Sequence, residues 1–321
     1  MRALLLSSAL ALAACAESAP EAAIALSEPA TEPAIAAEVQ TDVPGITGHV
    51  EIIRAFPSTH VTPRDLHIWL PPSYAAGGGR YPVVYVHDGQ NLYDPALSKY
   101  SQVDWGFDEA MTELIASGEA RAAMVVGIAS LEDERFENYM PQKATTPEVR
   151  EAVRSQFAMN GWSLGTINSD DYLRFVVEEV KPFIDARYRT LPGRADTSMV
   201  GASMGGLVTT YALLEYPDVF GQGAGVSTHL PVGEGALVPY FADRLPAPGR
   251  TRFWFDYGTE TLDADYAPYH EDLDARFIAR GYTVEEDFVS RMYPGHSHSE
   301  TDWRTRVADP LRFLLGPKTA S

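Results

Sequence analysis

The chain has 321 residues, with 25 Lys and Arg against 44 Asp and Glu, so its formal net charge is −19. Phosphate backbones are bound through clustered basic residues, and this charge therefore excludes nucleic acid as an expected partner. With a single cysteine, the chain cannot form an internal disulfide.

The first residues are typical of an export signal. Arg2 precedes an apolar run of small residues over 3–14, which is too short to span a bilayer as a stable helix. Residues 12–15 read Leu-Ala-Ala-Cys and resemble a bacterial lipobox, in which the cysteine becomes the lipidated first residue of the mature chain. The alternative is a plain secretory signal, cleaved near Ala16, that removes Cys15. We predict an exported lipoprotein of the periplasm or cell envelope, anchored to the membrane at Cys15.

The composition divides the chain into three segments. Residues 1–14 are the predicted signal peptide. Residues 15–45 hold the lipobox cysteine and a stretch rich in Ala, Glu and Pro, which buries too little apolar surface to fold and predicts a flexible tether. Residues 46–321 show no second linker and predict one large folded domain.

Strand and helix patterns alternate from residue 50 onward. Predicted strands cover 50–56, 66–70, 81–86, 124–128, 197–200, 220–226, 252–255 and 286–292. Predicted helices cover 104–117, 172–184, 207–214, 264–280 and 303–315. The first two strands read as antiparallel, and the later alternation indicates an α/β fold whose mostly parallel central sheet carries helices on both faces. Two long predicted loops, at about 130–168 and 228–250, lie where substrate loops are usual.

Residues 201–206, which read Gly-Ala-Ser-Met-Gly-Gly, lie between a predicted strand and a predicted helix. This order is that of a nucleophile elbow, in which a sharp turn lifts a serine hydroxyl out of the sheet. Side chains two positions either side of Ser203 are expected to collide with neighbouring backbone, which explains the glycines. Ser203 is therefore the predicted nucleophile.

A serine nucleophile needs a base and an acid that orients the base. Carboxylates follow the strand predicted at 252–255, at Asp256, Glu260 and Asp263, and histidines follow the strand predicted at 286–292, at His296 and His298. Each group comes after a strand, at the carboxyl edge of the sheet where the serine also emerges. The order Ser, acid, His is that of α/β-hydrolases.

Several segments together resemble the esterase D and enterochelin esterase-like branch of the α/β-hydrolases, which also contains feruloyl esterases and mycolyltransferases. They are residues 83–93, 181–185 with 188–190, 201–206 and 216–220, and His298 followed five residues later by Trp303. The resemblance covers about residues 50–315. It implies an α/β-hydrolase fold and serine ester chemistry without a cofactor.

The resemblance also implies roles for individual residues. Ser203 matches the nucleophile, and His298 matches the general base in preference to His296. The backbone N–H groups of Met204 and Gln90 match the oxyanion hole, so the identity of the Gln90 side chain is expected not to matter for that role.

The acid is where the sequence departs from the family pattern. The family's position for this carboxylate falls on Thr261, which lies between Glu260 and Asp263. We favour Glu260 over Asp263, and Asp256 or no acid at all remain as further alternatives.

The sequence thus predicts a serine carboxylic-ester hydrolase that acts on a small-molecule or carbohydrate ester through an acyl-enzyme. Two alternatives stay open: an acyltransferase to a carbohydrate acceptor, and a non-catalytic binding lipoprotein on a hydrolase fold. No metal is expected, since His296, His298 and Glu300 have no second ligand cluster at zinc-site spacing. A ferric siderophore is a weaker substrate candidate because the acidic chain has no obvious basic cluster.

Overall fold

The computed structural model describes residues 38–40, 45–98, 102–159, 161 and 163–317. The predicted signal peptide, Cys15 and most of the predicted tether lie outside these residues. Within them, no helix is both long and apolar enough to cross a membrane.

The described residues form a nine-stranded sheet. Its strands are β1 Glu38–Gln40, β2 His49–Phe56, β3 Arg64–Leu70, β4 Val83–His87, β5 Met124–Ile128, β6 Thr197–Ala202, β7 Gln222–Val226, β8 Arg252–Gly258 and β9 Phe288–Tyr293. Their order is β1-β2-β3-β5-β4-β6-β7-β8-β9. The pairs β1–β2, β2–β3 and β3–β5 are antiparallel, and the five pairs from β5 to β9 are parallel. The predicted mostly parallel sheet is confirmed.

Ten α-helices connect or cover these strands in the described part of the chain. They are α1 Phe107–Ser117, α2 Arg135–Tyr139, α3 Pro147–Met159, α4 Ser169–Arg174, α5 Lys181–Arg187, α6 Met204–Glu215, α7 Leu237–Asp243, α8 Ala267–Ala279, α9 Glu300–Arg306 and α10 Ala308–Leu315. A π-helical segment, Phe175–Val180, joins α4 to α5, so the helix predicted at 172–184 begins earlier and changes its hydrogen-bond period midway.

Hydrophobic cores lie on both faces of the sheet. Because successive strand residues point to opposite faces, Val83 and Tyr85 of β4 belong to one core while Val84 and Val86 belong to the other. The first core contains side chains of α2 to α8, and the second contains side chains of α1, α9 and α10. Parallel strands covered on both faces explain the apolar runs of the sequence.

The segments predicted as long loops contain helices. Residues 130–168 form α2 and α3, and residues 228–250 form α7. Pro147 is the first residue of α3, where a missing N–H group costs nothing, and Val153 and Phe157 bury one face of that helix. The proline therefore marks a helix start and not a loop.

The sheet also begins earlier than predicted. Strand β1, Glu38–Gln40, pairs antiparallel with β2, with Glu38 opposite Ile52. This strand falls within the segment predicted as a tether, so the folded domain extends beyond the predicted boundary at residue 46.

Candidate active site

Ser203 lies at the turn between β6 and α6 with φ 57° and ψ −122°, a conformation that is strained for any residue with a side chain. Its N–H donates to the Val226 carbonyl oxygen at 2.9 Å, and its own carbonyl oxygen accepts from the His229 N–H at 3.2 Å. These bonds to the end of β7 and to the segment after it hold the turn in place.

Close packing around the elbow explains two of its glycines. A Cβ atom on Gly201 would lie 2.4 Å from the Gly205 carbonyl oxygen, and one on Gly206 would lie 2.6 Å from Thr228 Oγ1. On Gly205 the nearest atom, His87 Cβ, would be 3.5 Å away, which is an ordinary contact. The expected collision is therefore correct for Gly201 and wrong for Gly205, and the second close approach occurs at Gly206.

The imidazole of His298 faces a buried carboxylate. His298 Nδ1 lies 2.6 Å from Asp263 Oδ1, and Asp263 is 1% exposed. Glu260, in contrast, is exposed to solvent. The expectation that Glu260 serves as the acid is corrected: the structure places Asp263 against the imidazole.

A strained turn explains why Asp263 faces inward. Thr261 has φ +54°, which is unusual for a β-branched residue, and its Oγ1 accepts from the His298 N–H at 2.9 Å. The N–H groups of Thr259 and Glu260 both donate to the His296 carbonyl oxygen, at 2.9 and 3.0 Å. The loop after β8 is thus bonded to the loop after β9, which brings the acid and the imidazole together.

Ser203 and His298 line the same cavity, whose volume is about 830 Å³. Met204 also lines it, as do four aromatic side chains and five carboxylates: Trp105, Phe136, Phe157 and Trp303, and Asp88, Glu132, Asp133, Glu137 and Glu300. Glu260 is not among its lining residues. The structure therefore brings three candidate residues, Ser203, Met204 and His298, to one cavity. Asp263 lies directly behind His298.

Gln90, the other candidate for the oxyanion hole, lies in the short turn Gly89–Asn91 that follows β4. Its side chain forms two hydrogen bonds with Ser130 at the end of β5: Nε2 donates to Oγ and Oε1 accepts from the backbone N–H, both at 3.0 Å. A Cβ atom on Gly89 would lie 2.3 Å from the Gly127 carbonyl carbon. The side chain of Gln90 therefore helps to fix this turn against β5, although the predicted oxyanion role uses only its backbone N–H.

Asp88 and Arg135 form a bidentate ion pair beside this turn, with N–O distances of 2.8 and 2.9 Å. Both residues line the cavity. Burial alone would raise the pKa of Asp88, but the charge and hydrogen bonds of Arg135 hold it below its ordinary value. No residue pattern indicates this pair, because its members lie 47 residues apart and Arg135 falls in a predicted loop.

The other candidates from the sequence lie elsewhere. His296 Nδ1 is 3.2 Å from Arg306 Nη1 and does not line the cavity. Asp256 is fully buried and accepts from Arg306 Nη2 at 3.0 Å.

His229, which falls in the second predicted long loop, also lines the cavity. Its Nδ1 lies 2.6 Å from the Tyr266 hydroxyl, and among the described residues no carboxylate is hydrogen-bonded to its ring. Burial and the neighbouring His298 lower the pKa of His229 to about 4. His298 is therefore the better-oriented base.

Over the residues that the structure describes, no group of three or more His, Cys, Asp or Glu side chains is arranged to hold a metal ion.

The mostly parallel sheet, the strained serine turn and the cavity at the carboxyl ends of the strands define an α/β-hydrolase. The family model described as "Putative esterase" matches residues 60–313. The chain therefore belongs to this esterase family and is a carboxylic ester hydrolase.

Known proteins resemble the chain over most of its length. The uncharacterized protein YbbA of Bacillus subtilis (strain 168) is 26% identical over 261 residues, which are 79% of this chain and 93% of YbbA. An IroE-like serine hydrolase from Shewanella oneidensis has a TM-score of 0.60 at 21% identity, covering 83% of this chain and 80% of its own. A ferulic acid esterase has a TM-score of 0.56 at 19% identity, covering 83% of this chain and 97% of its own. These two solved structures share the fold with this chain.

Proposed function

We propose that the protein is a serine carboxylic-ester hydrolase that works through an acyl-enzyme, with Ser203, His298 and Asp263 as its triad. The observation that carries the proposal is the 2.6 Å contact between His298 Nδ1 and Asp263 Oδ1, behind a cavity that His298 shares with Ser203. A carboxylate at Nδ1 orients the ring and stabilises the imidazolium that forms during the reaction.

In the proposed reaction, Ser203 Oγ attacks the ester carbonyl while His298 Nε2 takes the hydroxyl proton. The backbone N–H groups of Met204 and Gln90 donate to the developing oxyanion, and such a donor typically contributes about 3–4 kcal/mol to transition-state stability. His298 then gives the proton to the leaving alcohol. Water, activated by the same imidazole, hydrolyses the acyl-enzyme and regenerates Ser203.

The protonation state of Asp263 supports this assignment. Burial alone would raise the pKa of Asp263, but hydrogen bonds from His298, Ser227 and Gly258 lower it below its ordinary value. The carboxyl group is therefore ionised at neutral pH, as a group that stabilises an imidazolium must be.

The test uses Ser203→Ala and wild type on short nitrophenyl esters, together with labelling by a fluorophosphonate probe. The wild type should hydrolyse the esters and be labelled, and the folded variant should do neither. Equal rates in the two proteins would overturn the proposal. Product analysis with and without an acceptor sugar distinguishes hydrolysis from acyl transfer.

We also propose that the enzyme is exported and anchored to a membrane through a lipid at Cys15. The support is the residue pattern over 1–15. Expression in a bacterial host should place the wild type in the membrane fraction, and Cys15→Ser should move it to the soluble fraction. An equal distribution of both proteins would contradict the anchor.

A further inference from the structure

A buried polar cluster lies behind Asp263, and one of its members, Trp303, also reaches the cavity wall. Its members are Ser227 at the end of β7, Asp256 of β8, and Trp303 and Arg306 of α9. Ser227 and Asp256 are 0% exposed and Arg306 is 2% exposed. Burial of a charged pair in this way is costly, so its retention beside the triad acid needs an explanation.

The hydroxyl of Ser227 lies at the centre of this cluster, and its bonding direction is fixed. Trp303 Nε1 lies 2.9 Å from Ser227 Oγ, and Arg306 Nη2 lies 2.7 Å from it. Both groups can only donate, so they occupy the two lone pairs of the hydroxyl oxygen. The single hydroxyl hydrogen is then left for Asp263 Oδ2, which lies 2.5 Å away.

This direction determines how Asp263 holds the imidazole. Asp263 Oδ2 accepts from the Ser227 hydroxyl and from the Gly258 N–H at 2.7 Å, and Oδ1 faces His298 Nδ1. The two donors at Oδ2 stabilise the ionised carboxylate and help to lower the pKa of Asp263, so Asp263 has no proton to give to His298. The Nδ1 atom must therefore carry the ring proton, which leaves the lone pair of Nε2 to receive the proton of the nucleophile.

The pair of Arg306 and Asp256 also fixes the backbone of Ser227. Ser227 has φ +41°, and its N–H donates to Asp256 Oδ1 at 3.1 Å. Arg306 Nη2 donates both to the same Asp256 oxygen, at 3.0 Å, and to the Ser227 hydroxyl. A non-glycine residue persists at positive φ only where its surroundings determine its conformation, and such strain is concentrated at functional sites.

We propose that Ser227 is a positioning residue of the active site: its hydroxyl, oriented by Trp303 and Arg306, fixes the carboxylate of Asp263 and through it the proton-accepting tautomer of His298. Because tryptophan and arginine cannot lose their protons in the working pH range, this orientation does not change with pH. The inference rests on the proposed triad and adds to it a residue that the sequence did not indicate.

The experiment compares wild type with Ser227→Ala and Ser227→Gly. Both variants lack the hydroxyl, and glycine also tolerates the positive φ, so the pair separates the hydroxyl from backbone strain. The matched control is Ser198→Ala: Ser198 is equally buried and accepts from Gln222 Nε2 at 3.1 Å, but it lies near the opposite end of β6. Two quantities are measured across pH: kcat/KM on a nitrophenyl ester, and the first-order rate of fluorophosphonate labelling.

The expected result is a fall of about 10- to 100-fold in both kcat/KM and the labelling rate for both Ser227 variants, as is typical when a residue that orients a reacting group is removed. The acid limb of kcat/KM should also move to higher pH, because a carboxylate with one donor fewer is more basic and stabilises the imidazolium. The groups that set the charge around Asp263 remain in place in these variants: His298, His229, Arg306, Tyr266 and His270.

Folded Ser227 variants that are labelled at the wild-type rate would overturn the inference. A slower rate with an unmoved acid limb would also overturn it, because a merely structural effect gives that pattern. Partial unfolding does not obscure the result, since the labelling rate constant describes only the native fraction. If the wild type itself shows no Ser203-dependent labelling, the proposed function fails instead.

Discussion

Two arginine–aspartate pairs lie on opposite sides of the candidate active site, and each fixes a turn that follows a parallel strand. Arg135 and Asp88 lie beside the turn after β4, where Gln90 is found, and their side chains are 11% and 3% exposed at the cavity wall. Arg306 and Asp256 lie behind Asp263, with side chains that are 1% and 0% exposed. The first pair borders water, and the second is enclosed in protein.

The comparison shows that similar pairs contribute differently according to their burial. Removal of one partner from a fully buried pair leaves an unpaired charge without water, which typically costs about 3–5 kcal/mol of stability. At a cavity wall, water partly replaces the lost partner, so the same change mainly alters the local geometry. We therefore expect loss of the Arg306 pair to lower chiefly the free energy of unfolding. Loss of the Arg135 pair should lower chiefly kcat.

The largest expected effect is the loss of kcat when the proposed acid, Asp263, is replaced. Asp263→Asn should lower kcat by about 10⁴-fold, because an amide cannot stabilise the imidazolium and favours the wrong tautomer. Glu260→Gln is the matched control and should leave kcat unchanged, since Glu260 is exposed and outside the cavity wall. Steady-state kinetics on a nitrophenyl ester measures both, and a large loss in the Glu260 variant would reverse the assignment.

The next effect tests the enclosed pair directly. Arg306→Met should lower the free energy of unfolding by about 3–5 kcal/mol, because Asp256 is left buried without its partner. The double variant that also carries Asp256→Asn should recover part of this loss. Urea unfolding of the three proteins provides the measurement. A single variant as stable as the wild type would show that the pair does not stabilise the fold in this way.

Arg135→Met tests the pair at the cavity wall. Loss of the bidentate contact frees Asp88 and the turn that holds Gln90, so kcat should fall by about 10- to 100-fold, less than when an oxyanion donor is lost outright. Its free energy of unfolding should fall less than that of Arg306→Met, and urea unfolding measures that difference. If Arg135→Met unfolds the protein while kcat per active site stays constant, the contrast between the pairs is wrong.

The smallest expected effect is on the pH dependence of stability, and it comes from the buried, neutral imidazole of His270. Burial lowers the pKa of His270 to about 3, whereas a histidine in the unfolded chain titrates near 6.5. Below pH 6.5 the unfolded chain binds a proton that the folded protein does not, so His270 makes the free energy of unfolding fall by about 1.4 kcal/mol per pH unit down to about pH 3.

His270→Phe should remove this contribution and keep the ring that packs on Tyr257 with centroids 4.3 Å apart. Urea unfolding of wild type and variant at pH 5 and pH 7 measures the change in the free energy of unfolding between the two pH values. An equal pH dependence in wild type and variant would show that His270 does not titrate as its burial implies.

The nucleophile turn could be predicted because its geometry is local. Strand, serine, glycines and helix follow one another in the sequence, and the strained φ of Ser203 is a property of that short segment. The parallel strands were likewise predictable, since burial on both faces requires apolar runs such as that of β4.

The carboxylate that lies against His298 could not be predicted, because its position depends on the backbone conformation of one residue. Thr261 adopts a positive φ that its β-branched side chain disfavours, and bonds to the loop after β9 maintain it. That turn selects Asp263 over Glu260. The conformational preference of threonine disfavours this turn, so the position of Asp263 follows only from the tertiary contacts of Thr261.

Long-range contacts account for the other differences. His270 of α8 is 1% exposed because Tyr257 of β8 packs against its ring. Arg306 meets Asp256 across 50 residues of sequence and Ser227 across 79. No residue pattern predicts such contacts, because an arginine in a sequence is equally consistent with an ordinary surface position.

The attachment of helix α2 to the turn after β4 has a consequence for protein engineering. Segments such as 130–168 are attractive to exchange between related esterases when a new specificity is wanted. Here the exchanged segment would remove Arg135 and Ser130, which bond to Asp88 and Gln90. A chimera would therefore gain the donor's cavity-lining residues but lose the bonds that hold its own turn at 88–90, unless the donor's residues matching 88–90 were transferred together with the segment.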